Sequence, residues 1–268
     1  MDSLAAVLEH DHFTYAWVNP TMGLAFAAAG SYLGLSASRY ARAATATAAR
    51  LRWILLASLA IGGVGIWMMH FIAMIGFTVV DSDIGYDLGL TVASFALAVL
   101  AVGIGLSLSG TRGAGWPRLV LGGLVCGAGV VGMHYTGMAA VSTAGVVRYD
   151  TGLVLASAAI AVVAATVALR FTAVVDRRGS MAAAAAVMSV AVVGMHYTGM
   201  AAVRIETAAE RPVEGVSPLV LMLPILLLAM VAIVSLVICV LSAPNLDYRD
   251  ETGPRDGSTV RLANATRT

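Results

Sequence analysis

Val130-Val131-Gly132-Met133-His134-Tyr135-Thr136-Gly137-Met138-Ala139-Ala140-Val141 recurs without a change at Val192–Val203. A looser copy, Gly65-Ile66-Trp67-Met68-Met69-His70-Phe71-Ile72-Ala73-Met74, precedes both. The copies set His70, His134 and His196 at intervals of 64 and 62 residues, each inside a strongly apolar stretch. A histidine inside hydrocarbon is costly. Three in matched positions predict one shared site in a threefold repeat.

The rest of the chain supplies the setting. Of 268 residues, 59% are hydrophobic and only 12% charged, against roughly 25% charged in soluble domains. Hydropathy marks seven apolar runs, approximately Phe13–Ser36, Trp53–Val79, Leu88–Ser107, Leu119–Val141, Gly152–Phe171, Met181–Val203 and Pro218–Leu241. Each is near the ~20 residues that cross a bilayer. The expected fold is an all-α membrane protein with seven transmembrane helices over residues 13–241. A short leader (1–12) precedes it and a polar, disordered tail (242–268) follows. The histidines fall in the second, fourth and sixth spans, so each unit is a helical hairpin whose second member carries the motif. Three such hairpins enter the membrane in the same sense, as parallel repeats, and the seventh helix stands outside the pattern. The abundant Gly, Ala and Ser suit close helix packing.

All 16 basic residues are arginine. Arg39, Arg42, Arg50, Arg52, Arg112, Arg118, Arg170, Arg177 and Arg178 fall in the loops on one side. The opposite loops hold Arg148, Arg204 and Arg211 among acids such as Asp81, Asp83, Asp87, Glu206, Glu210 and Glu214. The positive-inside rule then puts the N-terminus outside the cell and the tail in the cytoplasm, in a multi-pass protein of the inner (plasma) membrane. Acidic residues and histidines before a full-length first span argue against a cleaved signal peptide. The tail is too short for a folded output domain. Cys126 and Cys239 fall in different spans and read as small buried apolar residues. No nucleophile–base pair, phosphate-cradling loop or nucleic-acid patch is evident.

Each motif histidine is followed four residues later by a methionine, Met74, Met138 or Met200, on the same helix face and nearer the exterior. Each is preceded directly by Met69, Met133 or Met195, about 100° round the helix. Those three either complete a ligand set or pack against a neighbour. Imidazole and thioether together suit a soft or borderline metal, copper above all, and Cu(I) in particular. They also add no negative charge to a membrane interior. Zinc prefers Cys, His or carboxylate, and calcium and magnesium want oxygen. Haem is the serious alternative, since paired His or His with Met ligate it axially. A single such histidine is explicable as an interhelical hydrogen-bond partner, and a single methionine as packing; three coincident pairs favour ligands. Tyr135 and Tyr197 can donate to a bound ligand or orient an imidazole. Thr136 and Thr198 are expected to bond back to their own helix, and Gly132, Gly137, Gly194 and Gly199 to permit close helix approach. His10 and His12, beside Glu9 and Asp11, form a solvated leader or a metal-capturing one.

Met133-His134-Tyr135-Thr136 and Met195-His196-Tyr197-Thr198 resemble the signature of the MHYT-domain family of bacterial integral membrane sensors. Met69-His70-Phe71-Ile72 looks like its degenerate first copy. The resemblance covers about Tyr15 to Leu241. It implies a sensor whose Met69, His70, Met133, His134, Met195 and His196 bind copper, with Met74, Met138 and Met200 beside them and Tyr135 and Tyr197 assisting. Through copper the family is expected to meet oxygen, carbon monoxide or nitric oxide. Many members continue into cyclase, phosphodiesterase or kinase domains, so a separate signalling partner is expected here. The expectation is a non-enzymatic copper sensor of a diatomic gas, of redox state or of copper itself. Copper acquisition, storage or transport is the alternative, as is a membrane haem or copper oxidoreductase. The cytoplasmic halves of the motif spans offer no His and few Met, which counts against through-transport.

Overall fold

The repeat in the sequence becomes a repeat of strand, helix, helix and strand. The computed structural model describes residues 10–11, 17–80, 82–109, 115–207 and 212–242. Expectations for the rest of the leader (His12 included), for Asp81, Arg112 and Arg211, and for the tail lie outside these residues. Of His10 only the backbone is described. The first unit runs β1 (His10–Asp11), α1 (Val18–Ala43), α2 (Thr47–Met74) and β2 (Thr78–Val79). The second runs β3 (Gly85–Tyr86), α3 (Leu88–Ser109), α4 (Trp116–Ala139) and β4 (Val141–Ser142). The third runs β5 (Gly145–Tyr149), α5 (Thr151–Val174), α6 (Arg178–Ala201) and β6 (Val203–Thr207), and α7 (Pro218–Leu241) ends the described chain. Within each unit the two strands pair antiparallel, with His10 opposite Val79, Tyr86 opposite Val141 and Tyr149 opposite Val203. The ladders mark the strand end of the bundle. The opposite end, where α1 meets α2, α3 meets α4 and α5 meets α6, holds Arg39, Arg42, Arg50, Arg52, Arg118, Arg170, Arg177 and Arg178.

The chain is mostly helical, as expected, and short strands are added at the helix ends. Hydropathy extended the second, fourth and sixth spans to Val79, Val141 and Val203, but the helices stop at Met74, Ala139 and Ala201. A β-branched valine just past a helix end pairs well in extended backbone, and apolarity alone does not tell the two states apart. On the other side of each turn the helix start is specified. Asp87 Oδ1 accepts from Leu90 N–H at 2.7 Å to open α3, and Asp150 Oδ1 accepts from Leu153 N–H at 3.0 Å to open α5. Both act as N-caps, satisfying an orphan amide of the first turn.

Six helices, α2 to α7, are long and apolar enough to cross a membrane. Large apolar side chains on them face outward, Leu219 and Leu223 of α7 among the most exposed, as they would against lipid. α1 is 26 residues long but less apolar, and it begins and ends later than the expected Phe13–Ser36. Its buried residues include Asn19, Gly23, Gly30, Ser31, Gly34, Ser36 and Ser38, because it packs on α2, α5, α6 and α7. α1 to α6 form a closed ring in chain order, with α6 returning to α1, while α7 leans on α1 and α2. Glycines bring backbones together at several seams. A Cβ on Gly30 would fall 2.4 Å from Gly65 N across α1 and α2, and one on Gly127 2.6 Å from Val162 Cα across α4 and α5.

The middle of α2, Leu59–Met68, is a π-helix of 10 residues. A π-helix bonds i to i+5, and such segments are rare outside functional regions. This one leads directly into Met69 and His70.

At the arginine end, Arg42 closes the ring between the first and third units. Its guanidinium donates to the Thr172 and Val175 carbonyls, the latter at 2.9 Å, and pairs with Asp176. It thereby caps the C-terminus of α5, where cations are favoured. The arginine's side chain is buried, whereas the charge pattern alone made it a loop residue. Arg42→Ala is expected to destabilise the fold by about 1–3 kcal/mol, discounted for the part-exposed Asp176. Exposed Arg52→Ala should stay within about 0.5 kcal/mol of the parent. Thermal unfolding in detergent reads both.

Candidate metal centre

α2, α4 and α6 are alternate members of the ring, so one residue at the same depth on each can meet at the axis. His70, His134 and His196 do so, at 0%, 1% and 2% exposure. Their ring centroids lie 5.0, 5.0 and 5.2 Å apart, a nearly equilateral triangle. The rings stand at 78° to 83° to one another, edge to face. One nitrogen from each lies within 4.8 Å of the others.

The hydrogen bonding is incomplete in a telling way. His70 Nδ1 and His196 Nδ1 are 3.1 Å apart. That is a hydrogen bond if one nitrogen carries a proton, and a reasonable separation for two ligand atoms on one small ion if neither does. His70 Nε2 and both nitrogens of His134 are buried with no hydrogen-bond partner. Leaving a buried polar group unmet costs about 1–3 kcal/mol. Among the described residues the histidines gather with no Cys, Asp or Glu in their group. Buried nitrogens of His70 and His134 without protein partners, converging with His196, fit a bound metal ion.

Two glycines make the triangle possible. A Cβ on Gly137 would lie 2.5 Å from His70 Nε2, and one on Gly199 would lie 2.4 Å from His134 Nε2. Each is the third residue after a motif histidine, so each imidazole rests on the glycine of the following unit. The equivalent position after His70 is Ala73, which is buried. The threefold pattern is thus broken at one seat, and there His196 approaches His70 instead. The sequence assigned these glycines to helix approach; for Gly137 and Gly199 the neighbour is an imidazole. Gly194 meets nothing within 4 Å and Gly132 only Leu97 Cδ1 at 4.0 Å, so neither is a site of close helix approach.

The motif methionines are all buried. Met74, Met138, Met200, Met133 and Met195 belong to the main core, while Met69 sits in a separate cluster with Ala27 and Ala73. Met69 packs on α1, where a Cβ on Gly23 would be 3.5 Å from its Cγ. Met138 lines a pocket of about 640 Å³ at the strand end with Val141, Tyr149 and Glu214. Met195 lines a small cavity on the other side of the histidines.

The tyrosines touch the histidines with their rings. Tyr135 stands edge-on to His134 at 4.8 Å and Tyr197 to His196 at 5.0 Å. The Tyr135 hydroxyl is 3.0 Å from Ser157 Oγ on α5. Thr198 Oγ donates to Gly194 O at 2.7 Å, within its own helix as expected. Behind His70, Phe71 packs edge-on at 5.0 Å and is backed by Trp67, whose indole N–H donates to Ser94 Oγ at 2.9 Å. Phe71 also meets Tyr86 of the strand end at 6.2 Å; burial pushes the Tyr86 phenol far above its usual range. Cys126 is buried as expected, but Cys239 is exposed on α7. Asp87, one of the acids at the strand end, caps α3.

Two stretches of the chain match a model of the MHYT family, described as a bacterial signalling protein N-terminal repeat: residues 63–122 and 127–186. MucR of Pseudomonas aeruginosa, a bifunctional diguanylate cyclase/cyclic di-GMP phosphodiesterase, is 40% identical over 198 residues, 69% of this chain and 28% of MucR. NbdA of the same organism, a cyclic di-GMP phosphodiesterase, is 34% identical over 160 residues, 57% of this chain and 20% of NbdA. The signalling protein YkoW of Bacillus subtilis is 30% identical over 198 residues, 71% of this chain and 24% of YkoW. The chain spans about a quarter of the length of these relatives. No solved structure matches it.

Proposed function

We infer, for a chain that belongs to the MHYT-domain family, a membrane-embedded sensor that holds a metal ion, copper by preference, between His70, His134 and His196. The observation that carries this reading is the triangle of buried imidazoles with unpartnered nitrogens on His70 and His134. Histidine nitrogen alone serves zinc as well as copper. The preference for copper comes from the six buried methionines of the motif, which flank the histidines in sequence as candidate thioether ligands. A copper ion held there would supply a coordination position for a diatomic gas or a change of redox state. Haem is disfavoured because the cavity adjoining the histidines, about 60 Å³, does not hold a porphyrin.

The protein's own residues set the conditions. Gly137 and Gly199 let two imidazoles sit close to the axis. Tyr135 and Tyr197 fix ring orientation from the side, acting as positioning residues rather than ligands. Phe71, Trp67 and Tyr86 exclude water around His70. In the membrane we place all seven helices as spans, the three units parallel and related by an axis along the membrane normal, and the strand end outside the cell. The arginine-rich end then faces the cytoplasm. The signal would pass there to an output partner, and the relatives' names point that output toward cyclic di-GMP turnover. Sensing is preferred to catalysis and to metal transport.

Metal analysis of the detergent-purified protein by mass spectrometry, with an optical spectrum before and after reduction, tests the reading. The expected result is copper without a Soret band. A Soret band would establish haem instead. No metal, even after reconstitution with copper, would reduce the histidines to helix–helix hydrogen bonding.

A further inference from the structure

On the arginine side of the histidines the bundle axis is hollow. Ile66, Val130 and Val192 line a cavity of about 60 Å³, and each precedes its unit's histidine by four residues. Residues four apart share a helix face, one turn or about 6 Å apart. The cavity therefore abuts the triangle from below. A water molecule takes about 30 Å³ of liquid volume, and apolar cavities of this kind stay dry. This one has room for a diatomic molecule and is too small for an aromatic ring.

The cavity has a neighbour. Between α5 and α6 runs an apolar groove of about 440 Å³ whose lining includes Ile160, Val163, Val167 and Val187. Val163 and Val187 are lipid-facing, at 64% and 52% exposure. Ala164 and Met188 line both the groove and the cavity. Among the described residues these two are common to both linings. Alanine is small and methionine is flexible about several bonds, so the partition they make can open without moving a helix.

We propose that a small, uncharged, apolar molecule of the dioxygen or carbon monoxide class reaches the histidines sideways from the bilayer. Its route runs along the α5–α6 groove, between Ala164 and Met188, and into the axial cavity. The proposal rests on the reading that the histidines hold a metal such a molecule can meet. The chemistry of the route selects its traveller. Apolar gases dissolve readily in hydrocarbon, whereas ions and charged metabolites are refused by a passage lined mainly with Ala, Val, Ile and Met, Ser31 being the one hydroxyl among the described lining residues. The strand end, with its polar loops, need not admit the gas at all.

Xenon NMR on the metal-free full chain in lipid nanodiscs tests the route independently of any metal. A saturable xenon site is expected, with exchange slowed at least tenfold by Ala164→Phe. Val163→Phe, on the lipid face and harmless to the core, should slow it severalfold and guards against a misfolded Ala164 variant. The absence of saturable xenon, or exchange unchanged in both variants, would overturn the proposal. Carbon monoxide binding to protein loaded with Cu(I) separates the two readings. Slower association in Ala164→Phe at unchanged copper content supports the route. Xenon entry as expected with no carbon monoxide binding supports the route while rejecting the gas-sensing metal.

Discussion

His134→Leu is expected to abolish metal binding and, in the metal-free state, to make the protein more stable than its parent. The two effects have one cause. Both nitrogens of His134 are buried without a partner, and leaving a buried polar side chain such as this imidazole unmet costs about 1–3 kcal/mol. A leucine of similar volume removes that penalty, so the metal-free variant should gain about 1–3 kcal/mol in all. With copper present the order reverses, because a bound ion stabilises only the chain that can hold it. His196→Ala should also lose the metal, while helical content survives. It should not stabilise, because it removes the 3.1 Å contact with His70. Mass-spectrometric metal content and thermal unfolding, with and without a chelator, read each effect separately. Full metal occupancy in His134→Leu would remove His134 from the ligand set. A metal-free variant less stable than the parent would show that its nitrogens are satisfied.

The second large effect concerns a residue with no functional group. Gly199→Ala places a methyl carbon 2.4 Å from His134 Nε2 and 3.0 Å from its Cδ2, so the ring must swing aside by roughly an ångström. Displacing a ligand's support in this way costs about 10–100-fold in metal affinity. Gly137→Ala should behave alike through His70. Gly194→Ala is the matched control on the same helix, since nothing lies within 4 Å of its added carbon. It should bind copper as the parent does and gain up to about 1 kcal/mol from helix propensity. A copper titration against a competing chelator checks all three. Equal affinities would mean that the imidazole seats are not part of the site.

What the sequence revealed, and what it hid, divides along physical lines. His70, His134 and His196 were legible because a polar ring in hydrocarbon is conspicuous and a repeated one more so. Their meeting followed from the even spacing, which put each on the second helix of its hairpin. Gly137 and Gly199 were visible but misread, because a glycine's role depends on what lies opposite it. The strands at Val79, Val141 and Val203 were hidden by hydropathy, which scores a valine alike in helix and ladder. Arg42 looked like one more arginine of its loop, and only the fold shows its side chain buried against α5. The π-helix and the axial cavity leave no mark in composition, since both arise from how the helices meet.

The paired strands bear on how such a chain came to exist. Each ladder joins the start of a unit to its end, so the chain enters and leaves every unit at one place. The stretches matched at 63–122 and 127–186 begin instead within or beside a motif helix and run into the next unit. In a closed ring of helices either cut gives a repeat, but they are not equal as pieces of inheritance. Copying strand, helix, helix and strand hands on a segment that closes on itself and carries its own imidazole. Copying the matched stretch would part each ladder from its other half. Tandem duplication along the ladders could therefore enlarge an ancestral gene one unit at a time without rethreading the chain. Only a ring of three such copies brings three histidines to a common axis.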